Sequence, residues 1–508
     1  MKKITALPIA LCALLVFSTL ACFIQFGSVE ASVDVNGILY SDAIWTKVNS
    51  PYNLLGPVAV TKGVVLTVEP GVTVNLNGHY LQVNGTLTAR GADADKIQFN
   101  DGDIIFTPVS NGWNESANSG SIIENTVVKG SISISTSVKI THNTLNGLSV
   151  GGSATISYNS IDSISISGSP LISNNEITGD FTIAGGSPTI TANILDGRPW
   201  ARRGEPVFSG NKISDGINCD SAGGQVTITN NELSSSGNYA IISVIGIHAD
   251  ISGNKIIGTN NSPTGISVGG ILSSATITQN QIYGCATGIS LSQTIAQVTK
   301  NVITDNDIGL KVIFGPPMTI ATPPYSNNAS AVIEENTIAN NSIGIQYTPY
   351  ELTSTVTNNN IQDNSQYNFK LQYPTNVSIP NNWWGTTDAS KINQTIFDSK
   401  NDFNIGKVNF IPFLNEPVTI TNQTSTPSPL PTNSPTPTVS PVTTPTATVT
   451  PIQLPSPSLT LSPSQNPTES PTTPQTGLNE IEIAILVVLV IIAVLLAGIL
   501  AFLIRKKR

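Results

Sequence analysis

What most constrains this chain is a short motif that recurs along it. "ITQNQIYG" at residues 277–284 has the same shape as "ISYNSIDS" from 156, "ISNNEITG" from 172, "ITNNELSS" from 228 and "ISGNKIIG" from 251. Each runs apolar residue, two further positions, Asn, any residue, apolar residue. With the Asn as marker, the motif falls at Asn125, Asn143, Asn159, Asn175, Asn193, Asn211, Asn231, Asn254, Asn280, Asn301, Asn336, Asn359 and Asn382, at intervals of 16 to 35 residues. Self-similarity of this period is the signature of a stacked-repeat architecture.

Each unit holds two or three runs of three to five residues with alternating apolar positions, such as "ATIT" and "GISVGG", separated by Gly, Asn and Ser. That is strand periodicity with turn punctuation, and 32–420 shows no sustained 3.6-residue pattern. A unit of some twenty residues cannot close a core alone, so the units must stack, each strand pairing in parallel with its counterpart one turn on. At about 4.8 Å per turn, thirteen markers predict a rod on the order of 60 Å. The recurring Asn reads as a structural ladder: a turn residue that tolerates left-handed φ, its amide bonding the backbone and the Asn one rung away, with the apolar residues at −3 and +2 pointing inward.

The repeats resemble the right-handed parallel β-helix units of pectin-degrading enzymes, of NosD-type copper-maturation proteins and of many archaeal and bacterial surface proteins. The resemblance covers roughly residues 33–415 and implies an all-β, right-handed parallel β-helix with N- and C-terminal caps. "VVLTVEPGVTVNLNGHYLQVNGTLTARG" (64–91) resembles the opening of such proteins. "IPNNWWGTTDASKINQTIFDSKNDFNIGKVNFIPFL" (379–414) resembles their closing segment, with Trp383 and Trp384 set to plug the last rung.

The ends set the compartment. Met1-Lys2-Lys3, an apolar run to Ile24 and Val29-Glu30-Ala31 read as a signal peptide over 1–31. Pro, Thr and Ser dominate 419–478, the composition of an extended stalk. Residues 479–504 are long and apolar enough to span a bilayer, and the basic tail 505–508 predicts a cytoplasmic end. Between signal and stalk, 32–105 is read as N-terminal cap and first rungs, 106–378 as repeats, and 379–418 as C-terminal cap. The expected location is therefore the cell membrane, single-pass, with the bulk outside. Thr473-Pro-Gln-Thr-Gly477 before the span resembles a sortase signal, which gives cell-wall attachment as the alternative. Eight Asn-x-Ser/Thr sequons mark candidate glycan sites.

A net charge of −9 with no basic stripe excludes a nucleic-acid partner. Polysaccharide and surface-layer proteins are the partners to expect. With three His, two Met and two Cys in the mature chain (Cys219 and Cys285), all far apart, no copper site is expected; His142 reads as surface decoration. No metal or other cofactor is expected beyond calcium at Asp101-Gly102-Asp103 or Asp305-Asn306-Asp307. On rung spacing, Cys219 and Cys285 lie about 14 Å apart and cannot pair.

Chemistry is sought where the repeat looks interrupted. "ILDGRPWARRGEP" (194–206) reads as an insertion offering Asp196, Arg198, Trp200, Arg202, Arg203 and Glu205, followed by Asp215 and Asp220. If Asn193 and Asn211 stack, Asp196 and Asp215 sit on adjacent rungs. Asp196, Asp215 and Arg202 are the candidate catalytic residues of a polysaccharide lyase or hydrolase; Arg198, Trp200, Arg202 and Arg203 are the candidate binding lip of a protein that holds polysaccharide without cutting it. The Gly-His-Gly and Arg-Ile-Lys motifs and the paired-Asp signature of polygalacturonases are missing, which favours binding, adhesion or a structural surface role.

Overall fold

In a computed structural model, the described residues are 32–220, 224–259, 263–270, 272–315, 329–350 and 354–420. All fall within the first of two compact units, Met1–Thr432. The expected signal peptide, all of the stalk beyond residue 420, the membrane span and the basic tail lie outside the described residues. Among the described residues no helix is long and apolar enough to cross a membrane.

The architecture is a parallel β-solenoid. Strands form one 28-stranded and one 15-stranded sheet, here sheets I and II, plus a two-stranded pair. Every pairing between named strands is parallel, each rung bonded to the next. The rung of the opening motif shows the plan. Ser274–Thr278 lies in sheet II, Gln281–Tyr283 follows in sheet I after the Asn, and Thr287–Ser292 returns in sheet I after a second corner. Each continues one rung on, in Ile295–Thr299, Val302–Thr304 and Ile308–Ile313. Alternation explains the fold locally: in Ser274–Thr278, Ala275 and Ile277 are buried while Ser274, Thr276 and Thr278 face outward. Rungs begin with Val33–Leu39, which pairs Tyr52–Val60. At the far end the short helix Ala389–Gln394, capped by Asp388, and the buried Trp384 against Phe410 close the core.

The asparagines occupy a different place from the one the sequence suggests. Their side chains point into the core, and the left-handed residue is the one before each, as at Tyr158, Gln279 and Lys300, with φ of 57°, 58° and 59°. That kink turns the Asn inward. Asn280 is fully buried and typical: its two amide hydrogens are shared among Ile251 O, Thr278 O and Asn301 Oδ1, at 2.9, 3.1 and 3.0 Å. Its own Oδ1 accepts both the backbone N–H and the amide of Asn254 at 3.0 Å. The chain of such bonds runs unbroken from Asn143 to Asn382.

Asn125 is not part of it. Glu124 is level with Thr141, so Thr126 stands at the ladder position and donates its N–H to Asn143 Oδ1. Asn125 itself takes the left-handed turn, with φ of 47°, and its amide reaches Gly91 O.

A second ladder stands one corner on. Asn306, Asn341 and Asn364 are linked Nδ2 to Oδ1 at 3.0 Å, and the row ends at Asn368. Cys285 holds the position before Asn306 and donates its N–H to Asn306 Oδ1.

Candidate functional site

Residues 194–206 are not an insertion. Ile194–Leu195 pairs Glu176–Ile177 and Lys212–Ile213, and Trp200–Ala201 pairs Phe181–Ile183 and Ile217–Asp220, all at regular rung positions. The spacing from Asn193 to Asn211 equals that of the rung before it, and only unusual side chains made it look irregular.

Trp200 stands in an outward column of sheet I where its neighbours are small. Ser149, Ser165 and Thr182 precede it and Asn218, Ser243 and Ser267 follow, one per strand. One bulky ring therefore rises from a flat strip of hydroxyls and amides. It is held from both sides: its N–H donates to Asp220, and the Arg202 guanidinium lies 3.6 Å from the ring centroid. A planar guanidinium stacked on indole keeps its edge donors free for a carboxylate. Arg203 is exposed two residues beyond Ala201's strand partner Cys219 in the rung plan, on the same turn as Arg202.

Arg198 serves the scaffold. Its guanidinium donates to the carbonyls of Asp215 (2.9 Å) and Ala240 (2.7 Å) and lies 5.6 Å from the Tyr239 ring. Burial draws it down from the usual guanidinium range, against the opposing pull of Asp215. Asp196 and Asp215 are on adjacent rungs, but Asp196 is level with Ser214, one residue before Asp215. Each takes a hydroxyl from the following rung: Ser214 donates to Asp196 at 2.6 Å, Ser235 to Asp215 at 3.1 Å. The two carboxylates are engaged separately rather than aimed at one point.

Among the described residues no three His, Cys, Asp or Glu side chains could hold a metal ion. The calcium candidates are committed elsewhere. Asn306 spends its amide in the second ladder, and Asp103 accepts the N–H of Ser131 at 3.2 Å. His142 stacks on Tyr158 at 5.1 Å, and His248 contacts Ser274 and Asp250 at 2.8 and 3.3 Å.

Cys219 and Cys285 are free and buried. Burial pushes both thiols up to about 12, with Asp220 adding to the shift at Cys219. Both stay protonated in the fold while unfolded cysteine ionises near ~8.5, so their contribution to stability falls as pH rises from there towards 12. Native protein at pH 8 is expected to resist iodoacetamide at both positions, and to take two equivalents once unfolded. Mass spectrometry of native and denatured samples checks this.

The geometry defines a parallel β-solenoid carrying a charged aromatic lip on one rung. Residues 205–313 match the family model described as "Periplasmic copper-binding protein (NosD)". No curated protein and no solved structure matches the chain. The donors of the matched stretch do not suit copper. It contains no Met, its two thiols are sealed in the core three strand pairings apart, and its only imidazole, His248, lies on sheet II bonded to Ser274. Soft-metal sites need such ligands clustered. The similarity therefore carries the fold, and no copper step is derived from it.

Proposed function

We propose that this is a surface-exposed protein that binds acidic polysaccharide along sheet I without cutting it. The observation that carries the reading is the Trp200–Arg202 stack rising from a strip of small polar side chains. A linear glycan needs a flat track to lie along, a ring face or edge to register against and fixed cations for its carboxylates. The strip, the indole and Arg202 with Arg203 supply these in turn. Many weak, evenly spaced contacts on a rigid rod then add up by avidity. An extracytoplasmic location is supported by the leader-like N-terminus and the periplasmic description of the matching family; the C-terminal apolar segment is the proposed anchor.

Full-length protein presented with acidic and neutral polysaccharides is expected to retain acidic ones, salt-sensitively. The double variant Arg202→Ala/Arg203→Ala should lose affinity about tenfold or more, the scale of one charge-assisted contact. Release of unsaturated or reducing ends that disappears in Asp215→Ala would establish the lyase or hydrolase reading instead. Unchanged retention by the double variant would remove the lip from the binding site.

A further inference from the structure

Sheet II carries a second feature, far from the Trp200 rung in sequence. Residues 107–121 cross its outer face, and Trp113 is pinned there. Its backbone N–H donates to Ser137 O at 2.6 Å and its indole N–H to Glu115 at 2.5 Å. The charged ends of Arg90 and Lys139 each lie 5.2 Å from the ring centroid. Glu115 also accepts from Lys139 at 2.9 Å, and that bond, with the indole N–H, holds its carboxyl below the usual range. Little rotamer freedom is left for the ring to lose on meeting a ligand.

The half-buried indole is the shared wall of two open cavities of about 440 and 400 Å³. Thr88 and Ile122 line the first, with Asn118 at its rim; Val138, Thr155 and Leu171 line the second. They lie in line. Thr88, Ile122, Lys139, Thr155 and Leu171 are level on five successive strands of sheet II, a track of roughly 19 Å along the solenoid axis.

We infer that the two cavities are consecutive subsites of one axial binding site for a neutral oligosaccharide. A sugar ring has apolar C–H faces and hydroxyl edges. The track offers the matching surface: an indole wall, aliphatic floor positions at Ile122, Val138 and Leu171, and hydroxyl or amide groups at Thr88, Thr155 and Asn118. Charge decides between neutral and acidic ligands. Arg90 faces Glu124 at 3.8 Å and Lys139 faces Glu115, so two cations meet two carboxylates and an anion finds no unmatched charge. This site does not depend on the acidic-glycan lip and can fail or stand without it.

The test uses the full chain and calorimetric titration with cellotetraose, mannotetraose and N-acetylchitotetraose, with tetragalacturonate as the acidic control. At least one neutral tetraose should bind, its monosaccharide far more weakly. Trp113→Ala should lower that affinity about tenfold or more, while Arg202→Ala/Arg203→Ala leaves it unchanged. Trp113 lies on the outer face, and unchanged circular dichroism controls for folding. Thr155→Trp, which fills the second cavity, should reduce the preference for the tetraose over the disaccharide. Failure of all neutral probes at millimolar concentration, an unaltered affinity in Trp113→Ala, or dependence on Trp113 of the acidic probe alone would overturn the assignment.

Discussion

Replacing Asn280 by Ala is expected to destabilise the solenoid by about 4 kcal/mol, far more than deletion of one solvent-facing amide. Five partners lose their bond at once: Asn254 N and Nδ2, Ile251 O, Thr278 O and Asn301 Oδ1. All lie at a corner without water, and each buried polar group left unmatched costs about 1–3 kcal/mol, the sum being reduced by relaxation. Asn280→Asp separates donor from acceptor roles with little change in shape. A carboxylate can still accept from Asn254, but it faces three oxygens that need hydrogen. The protonated form is therefore favoured in the fold, its pKa is raised, and stability should fall as pH rises above about 4, where the unfolded side chain ionises. Guanidinium titrations at pH 3.5 and 7 check both variants: Asp should approach wild type at the lower pH and Ala should not. If Ala costs under 1 kcal/mol, the ladder adds nothing measurable at this rung.

The same residues show what could and could not be read from the sequence. Period and alternation are local signals, so the parallel stack and the inward Ile277 and Ile282 follow from "ITQNQIYG" alone. Which of two adjacent residues turns left-handed is decided by the corner as a whole. The sequence reading therefore put the kink on the Asn, one residue late, and admitted Asn125 on spelling where Thr126 holds the position. The second ladder had a signal that went unused: Asn306, Asn341 and Asn364 each stand five residues after a first-ladder Asn, and Cys285 keeps the same offset. Arg198 looked like a ligand-binding cation because its two acceptors are backbone carbonyls, which no side-chain pattern reveals. Trp113 was passed over for a similar reason. Its partners Arg90 and Lys139 are 23 and 26 residues away and meet it only through the register of sheet II.

Gly309→Ala should destabilise by about 3 kcal/mol, and the reason is space alone. A Cβ there would sit 2.7 Å from Gly344 O, 2.8 Å from Ile338 Cγ2 and 2.9 Å from Asn341 Nδ2. All three belong to the next rung, whose distance is set by backbone hydrogen bonds and cannot widen without breaking them. Gly288 and Gly344 repeat the arrangement above and below, each three residues after its second-ladder position, so the close approach is what lets the buried amides reach one another. Gly210→Ala is the contrasting control. Nothing lies within 4 Å of its Cβ, yet its φ is +65°, so it tests backbone strain without crowding and should cost about 1 kcal/mol. Because solenoid rungs contact only their neighbours, the Gly309 effect should stay local. Hydrogen exchange should quicken in Ile308–Ile313 and Ile343–Thr348 while Thr155–Ser157 keeps its protection. Uniform loss of protection from end to end would mean that the rungs unfold as one cooperative block, and that a single crowded corner is felt by the whole rod.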